Sequence, residues 1–297
     1  HDFPHTAWPE PQVEWRHEAV RWFDHWLKGK DTGILEEPKL AVYVRDYYPP
    51  DPGIERVPGQ WRWEDGWPIE RTDYQEWFAH HDHDLSAEPA DEARHTMEYK
   101  PSIGLEGGGP TMWWGSVPPD QQAMDDHSLV YDSEPLDGPL EILGRPIARL
   151  SVSADAARAN WVVRVSDVAP DGQVTQVAGA AFNGTHRNSA REPEDVVPGE
   201  VFALEFKLHF TSWVFPKGHR VRVAISNAQW PMLWPTPIPM SSTVEMGGEG
   251  GTRLELPVMP PGANEVPEFV RPKASPVLAG YETLDTGNIS GYAAINS

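Results

Sequence analysis

Residues Glu200–Pro237 read EVFALEFKLHFTSWVFPKGHRVRVAISNAQWPMLWPTP. Phe202, Leu204, Phe206, Leu208 and Phe210 alternate with Ala203, Glu205, Lys207 and His209, the period of two that marks a strand with one buried face. Pro216-Lys217-Gly218 then supplies turn chemistry. Val221, Val223 and Ile225 alternate again, with Arg220 and Arg222 on the other face. The pattern predicts two neighbouring antiparallel strands and, after them, an aromatic-rich loop from Trp230 to Trp234.

Outward from this stretch the same signal recurs. Leu40–Val44, a short run at Trp77-Phe78, Leu129–Tyr131, Ile147–Ala154, Trp161–Val168, Val174–Phe182 and Leu254–Val258 are further candidate strands, giving about eight to ten. Pro (31) and Gly (25) are frequent, which suits many turns and few helices. Residues 46–70 read as a Pro- and Trp-rich connection, and 86–128 as mostly irregular. So long a stretch inside a compact domain must pack as ordered loop or bind something. One segment differs: between Val13 and Lys28, Trp15, Ala19, Trp22, Phe23, Trp26 and Leu27 recur at helical spacing. Lys28 suits the negative end of a helix dipole, and Gly29 is placed to cap it. The boundary this implies lies between Gly29 and Lys39. Residues 1–30 are the tail of one domain, 39–260 a β-sandwich, and 261–297 a turn-rich tail.

Composition excludes several function classes. The net charge of −21, from 24 basic and 45 acidic residues, repels nucleic acid and anionic lipid and otherwise serves solubility. No apolar run is long enough to span a bilayer. Cysteine is absent, so there is no disulfide or thiolate chemistry and the compartment stays open, the cytoplasm being slightly favoured. Residue 1 is His and not Met, so further sequence is expected before it.

The quoted residues resemble the C-terminal region of the CocE/NonD serine hydrolases, the cocaine esterase and X-prolyl dipeptidyl-peptidase type. The resemblance rests on His209-Phe210-Thr211-Ser212, Phe215-x-x-Gly218-His219-Arg220-x-Arg222 and Ser226-Asn227-Ala228-x-Trp230-Pro231. It extends to Trp22–Gly29, Asp120-Gln121, Asp125-Asp126, Ser133–Leu136, Ser151–Asp155, Asp167–Gly172 and Arg187-Asn188-Ser189. It implies a mainly β fold: a jelly-roll sandwich, preceded by the closing loop and helix of an α/β-hydrolase domain that would be the chain's partner. His1 aligns with the general-base histidine, with His5 as the competing candidate. The implied reaction is hydrolysis of a small ester or short-peptide bond through an acyl-serine, with no cofactor. The sandwich would wall the substrate cleft and leave room for contact between copies of the chain.

The nucleophile is not expected here. A nucleophile elbow needs glycine two residues before the serine, and no serine in the chain has one. One member of a triad cannot perform acyl transfer, so the chain alone should be silent. Trp113, Trp114, Trp230 and Trp234 are candidates to line an acyl or aromatic pocket, although packing is the commoner use of such residues. His80, His81, Asp82, His83 and Asp84 carry metal-ligand chemistry, but strand neighbours point to opposite faces, so no metal site is assigned. Gly107-Gly108-Gly109 lacks the Lys-Ser/Thr of a phosphate loop and reads as flexible. A second class of function remains open: a non-catalytic sandwich that binds a ligand such as carbohydrate. The helix discriminates, because its aromatic stripe needs either this chain's own sandwich or another body to cover it.

Overall fold

The structure, a computed structural model, describes residues 3–108, 117–248, 250–260 and 265–273. The chain opens with a loop and one helix, α1 (Trp15–Lys28), which starts two residues later than its apolar spacing suggests. Gly29 ends it in the left-handed conformation (φ 64°). The Gly29 and Lys30 N–H groups donate to the carbonyls of His25 and Asp24 at 3.1 Å each, which satisfies two otherwise orphaned acceptors.

Fifteen strands follow: β1 (Leu40–Arg45), β2 (Gly59–Glu64), β3 (Asp73–Ala79), β4 (Leu85–Ser86), β5 (Ala93–Glu98), β6 (Leu129–Asp132), β7 (Leu140–Gly144), β8 (Ile147–Ala154), β9 (Asn160–Val168), β10 (Val174–Asn183), β11 (Phe202–Lys207), β12 (Thr211–Phe215), β13 (Arg220–Ser226), β14 (Ser241–Met246) and β15 (Arg253–Val258). A short helix, α2 (Gln122–Asp125), precedes β6. All named strand pairs are antiparallel. One sheet runs β10-β9-β13-β6. The larger one runs β12-β7-β15-β8-β14-β5, with β11 on β8, β3 on β15 and β4 on β3; β1 and β2 form a separate ribbon. The two main sheets close on a core that includes Trp161, Trp213, Tyr131, Phe215 and Leu254, each buried. This is a β-sandwich, as the resemblance implies.

The two strands of the quoted stretch are not neighbours. β11 pairs with β8 in the larger sheet, and β13 lies between β9 and β6 in the smaller. The residues between them form β12, which pairs with β7 and buries Trp213 and Phe215. Alternation fixes which face of a strand is buried but not which strand lies beside it. Pro216–His219 is a turn as expected, with the His219 N–H donating to the Pro216 carbonyl at 3.2 Å, but it carries the chain from one sheet to the other.

The smaller sheet is buried on both faces. In β9, Trp161, Val163, Val165 and Asp167 face the sandwich interior, while Val162, Arg164 and Ser166 face the other way and are equally covered. The 86–128 segment does the covering. It contains a strand, β5, and then packs Ile103 and Met124 against Ala228. Gly107 fits against Gln121 and Met124, where a Cβ would stand 2.7 Å from the Met124 sulfur. Gly107 and Gly108 are therefore part of an ordered turn and not a flexible loop; Gly109 lies outside the described residues.

Candidate functional site

The helix α1 is the first element with functional weight, because no residue in it is buried. Trp22, Phe23 and Trp26 are each about half exposed and Leu27 is 77% exposed. The polar side is anchored. Arg21 bonds Glu18 at 2.6 Å and also pairs with Glu37, and Lys30 reaches Asp24 at 2.7 Å. At its start the Glu14 N–H donates to the Val270 carbonyl at 3.2 Å, so residues 265–273 tie the helix to the body while Phe269 packs on Trp61. Trp15 stacks on Phe3 at 6.2 Å, but among the described residues nothing closes over Trp22, Phe23, Trp26 and Leu27, which stay half exposed or more. Burying a large apolar side chain is worth roughly 1.5–3 kcal/mol, so the stripe is a surface built for contact.

A cleft of about 530 Å3 opens between the N-terminal loop and the sandwich, lined by Trp8, Glu10, Arg45, Val117, Pro118 and Thr211 among others. Residues 7–11 follow shortly after His1, and Val117 follows shortly after Trp114. Arg45 forms part of its wall. Its Nε donates to the Ser212 carbonyl at 2.9 Å, Nη2 to Thr211 Oγ1 at 2.5 Å, and its guanidinium lies 5.2 Å from the Trp213 ring centroid.

The aromatic loop lies beside the segment that leads to Trp113. The Trp230 N–H donates to the Ile103 carbonyl at 2.6 Å. Gly104 (φ 123°) passes so close that a Cβ there would sit 2.2 Å from the Trp230 carbonyl oxygen, a contact only glycine permits. Trp230 and Trp234 meet edge to face at 5.5 Å. His1, Trp113 and Trp114 lie outside the described residues. His5 is described and is poorly suited to act as a base: its Nδ1 accepts from the Trp15 indole N–H at 2.9 Å. A triad histidine instead donates from Nδ1 to a carboxylate and keeps Nε2 free to accept a proton.

Sequence reasoning missed a buried carboxylate–histidine pair. Asp167 Oδ1 accepts from His219 Nδ1 at 2.7 Å and Oδ2 from the Trp213 indole at 2.8 Å, while the Tyr47 ring packs edge-on against His219 at 4.6 Å. Burial pushes the Asp167 carboxyl up, against the pull of the bonds from Trp213 and His219. Both residues lie within stretches that carry the resemblance, but nothing in their spacing shows that they meet where β9 and β13 run side by side. Among the described residues no hydroxyl is bonded to His219. Conversely, Ser86 Oγ lies 2.9 Å from His80 Nε2, yet that nitrogen also faces the Glu88 carbonyl at 3.2 Å, and no carboxylate bonds the ring. The described residues thus hold a serine–histidine contact and an aspartate–histidine pair on two different histidines, and no assembled triad.

The histidine run is dispersed. His80 turns to Ser86, while His83 stacks on His95 at 4.2 Å and bonds the Val130 carbonyl at 2.9 Å. Among the described residues no group of three His, Asp or Glu is disposed to hold a metal ion. No described helix is long and apolar enough to cross a membrane.

The profile of the X-Pro dipeptidyl-peptidase C-terminal non-catalytic domain matches residues 32–253. The chain belongs to this family. A Mycobacterium bovis protein named as a serine esterase is 28% identical over 242 residues, 73% of this chain and 37% of that protein. Cocaine esterase of a Rhodococcus species is 26% identical over 241 residues, 76% of this chain and 40% of that protein. The chain therefore spans about two fifths of the length of these curated relatives. The solved structure of a CocE/NonD family hydrolase from Staphylococcus aureus superposes with a TM-score of 0.63 at 15% identity, covering 84% of this chain and 46% of that one, a likeness of fold. The chain is thus a β-sandwich of the X-Pro dipeptidyl-peptidase C-terminal non-catalytic kind, similar in sequence to part of a cocaine esterase and in fold to part of a CocE/NonD family hydrolase. Within this X-Pro dipeptidyl-peptidase C-terminal sandwich, Asp167 and His219 pin one sheet to the other through Trp213, a structural use of a pair that in a catalytic domain would suggest chemistry.

Proposed function

We propose that this chain serves a serine hydrolase as its docking and cleft-walling part, with an α/β-hydrolase domain as its partner. The observation that carries the reading is the bare aromatic stripe of α1. That stripe needs an apolar partner surface, and the described residues of the sandwich do not supply one. In this reading residues 1–30 close the catalytic domain and 39–260 form the sandwich. His1 is the general base. It takes the proton from a serine hydroxyl of the partner domain as that oxygen attacks an ester or amide carbonyl, and returns it to the leaving group. The serine and the acid that orients His1 come from the partner. The loop bearing Trp230 and Trp234, with Trp113 and Trp114, flanks the cleft that holds the acyl or X-prolyl group.

The tautomer fixed by the Trp15–His5 bond supports His1 over His5. The isolated chain is expected to give no saturable turnover of p-nitrophenyl esters or X-Pro p-nitroanilides. Turnover that disappears when a serine of this chain is changed would overturn the reading. In a protein that carries both domains, His1→Ala should abolish turnover and His5→Ala should leave most of it; the reverse would move the base to His5.

A further inference from the structure

We propose that the cleft beside Trp234 binds a saccharide: a pyranose ring stacks on the bare face of the Trp234 indole while Asn160, Asn183 and Asp195 bond its hydroxyls. The cleft lies where the 234–237 loop meets the ends of β9 and β10, and its volume is about 490 Å3, inside the roughly 300–1,000 Å3 usual for small-molecule sites. It shares Trp234 with the loop placed beside the acyl group above, but its lining lies in the sandwich and its binding is read on this chain without any turnover.

The platform is exposed but fixed. Trp234 is 82% exposed, yet Trp230 backs it edge-on. The Leu233 N–H donates to the Gln229 carbonyl at 2.7 Å, and the Tyr99 hydroxyl to the Thr236 carbonyl at 3.2 Å. Pro231, Pro235 and Pro237 restrict the backbone further. A ligand that stacks here does not have to order the loop first, so little of the contact is offset by lost entropy.

The opposite wall is polar and prearranged. Asn160 and Asn183 face each other as the last pair of the β9–β10 ladder. Asn183 Oδ1 accepts from the Thr185 N–H at 3.0 Å and the Thr185 hydroxyl at 2.9 Å. That fixes the amide and leaves its NH2 to donate. His186 Nδ1 donates to the Ser189 carbonyl at 3.1 Å, which leaves Nε2 as an acceptor. Arg158 and Asp195 pair at 3.6 Å on the rim.

This set selects a ligand class. The guanidinium and carboxylate balance each other, so neither an anion nor a cation finds a dedicated partner. An acyl chain would need an enclosed apolar channel, and the cleft offers one indole in an open trough. A pyranose has a C–H face that covers an indole and a rim of hydroxyls that both donate and accept. It matches one aromatic platform faced by amides, an imidazole and a carboxylate.

The test is titration of this chain with xylotriose, cellotriose, maltotriose and chitotriose, followed by tryptophan fluorescence and calorimetry. At least one sugar should bind saturably with a millimolar or tighter Kd. Trp234→Ala should weaken it about tenfold or more and Asn183→Ala several-fold, while Trp67→Ala, at a distant exposed tryptophan, should leave it unchanged. Because Trp234 contributes little buried surface, its alanine variant should fold, which an unchanged melting temperature checks. The proposal is overturned if none of the four sugars saturates at about 10 mM. It is equally overturned if Trp234→Ala binds as the parent does, or if a proline-rich peptide and no sugar occupies the indole.

Discussion

The outer face of the small sheet and the free face of α1 solve opposite problems. On the sheet, Arg164 is fully buried, yet it bonds Gln121 at 3.0 Å and Asp125 at 2.7 Å. Arg222 shares Asp125 at 3.0 Å and takes Asp132 at 2.6 Å. Burial alone would depress both guanidiniums, and it does lower Arg164; for Arg222 the bonds to Asp132 and Asp125 outweigh it and hold the group above its usual value. Even charge is covered and answered from within the chain. On α1 the reverse holds: tryptophans, the side chains that gain most from cover, are left bare. The small sheet thus answers its buried charges from within the chain, while Trp22, Phe23 and Trp26 of α1 stay about half exposed.

The sharpest way to break the comparison is to remove the internal answer. Arg164→Ala leaves Asp125 short of a partner and opens a void, and removing one partner of a buried ion pair costs about 3–5 kcal/mol. Urea unfolding followed by tryptophan fluorescence would measure it. A loss below about 1 kcal/mol would mean that the network is not a source of stability. Next in size is Asp167→Ala, which leaves the His219 Nδ1–H and the Trp213 indole N–H without an acceptor inside the sandwich. The expected cost is about 2–3 kcal/mol, read in the same way. His219→Gln, which keeps a donor for Asp167, should cost clearly less.

What was legible in the sequence follows the same division. β8 and β13 are legible because Ala148, Leu150 and Val152, and Val221, Val223 and Ile225, are buried, apolar and alternate. β14 was missed because Ser242 is buried beside Val244 and Met246, so a polar residue interrupts the pattern. β5 was missed because, at a sheet edge, only Met97 is buried. β2 was hidden by its aromatic and charged mixture, in which Arg62 and Glu64 are the buried members, bonded to each other at 2.8 Å. Arg222 stands on the outer face, as the alternation of β13 indicates, and pairs with Asp125 and Asp132, but the sequence does not show the loop that folds over it. Of the site, the helix stripe was fully legible, since exposure does not change a spacing. The Asp167–His219 pair and the Asn160–Asn183 wall were not, because each joins residues far apart in sequence through strand pairing or sheet packing.

A smaller effect probes the sandwich through pH. His95 stacks on His83 at 4.2 Å and packs against Tyr131 at 5.8 Å, with its Nε2–H donating to the His81 carbonyl at 3.0 Å. Burial, then the neighbouring His83, lowers its pKa from the ordinary histidine value. A lowered folded-state pKa means that the unfolded chain takes up the proton first. The stabilising contribution is therefore complete above the ordinary value of about 6.5 and is lost as pH falls through it towards the folded value. Unfolding free energy should decline between pH 7 and pH 5, and His95→Gln should flatten that decline. An unchanged slope in the variant would assign the pH dependence to other groups.

The smallest expected effect tests the unfinished half. Replacing Trp22, Phe23 and Trp26 together by serine removes three large aromatic groups, which in a core would cost several kcal/mol. On a face that nothing among the described residues closes over, the change should stay within about 1 kcal/mol in the isolated protein, since exposed substitutions rarely exceed ±0.5 kcal/mol each. Locally the change removes two ring contacts on the helix surface, Trp22–Trp26 at 5.8 Å and His25–Trp26 at 5.1 Å. The same triple variant should lose most of its binding of an apolar dye such as ANS and, where an α/β-hydrolase domain is present, its association with that domain. A large loss of stability in the isolated chain would show that the stripe is already packed from within, and the case for a missing partner would fall with it.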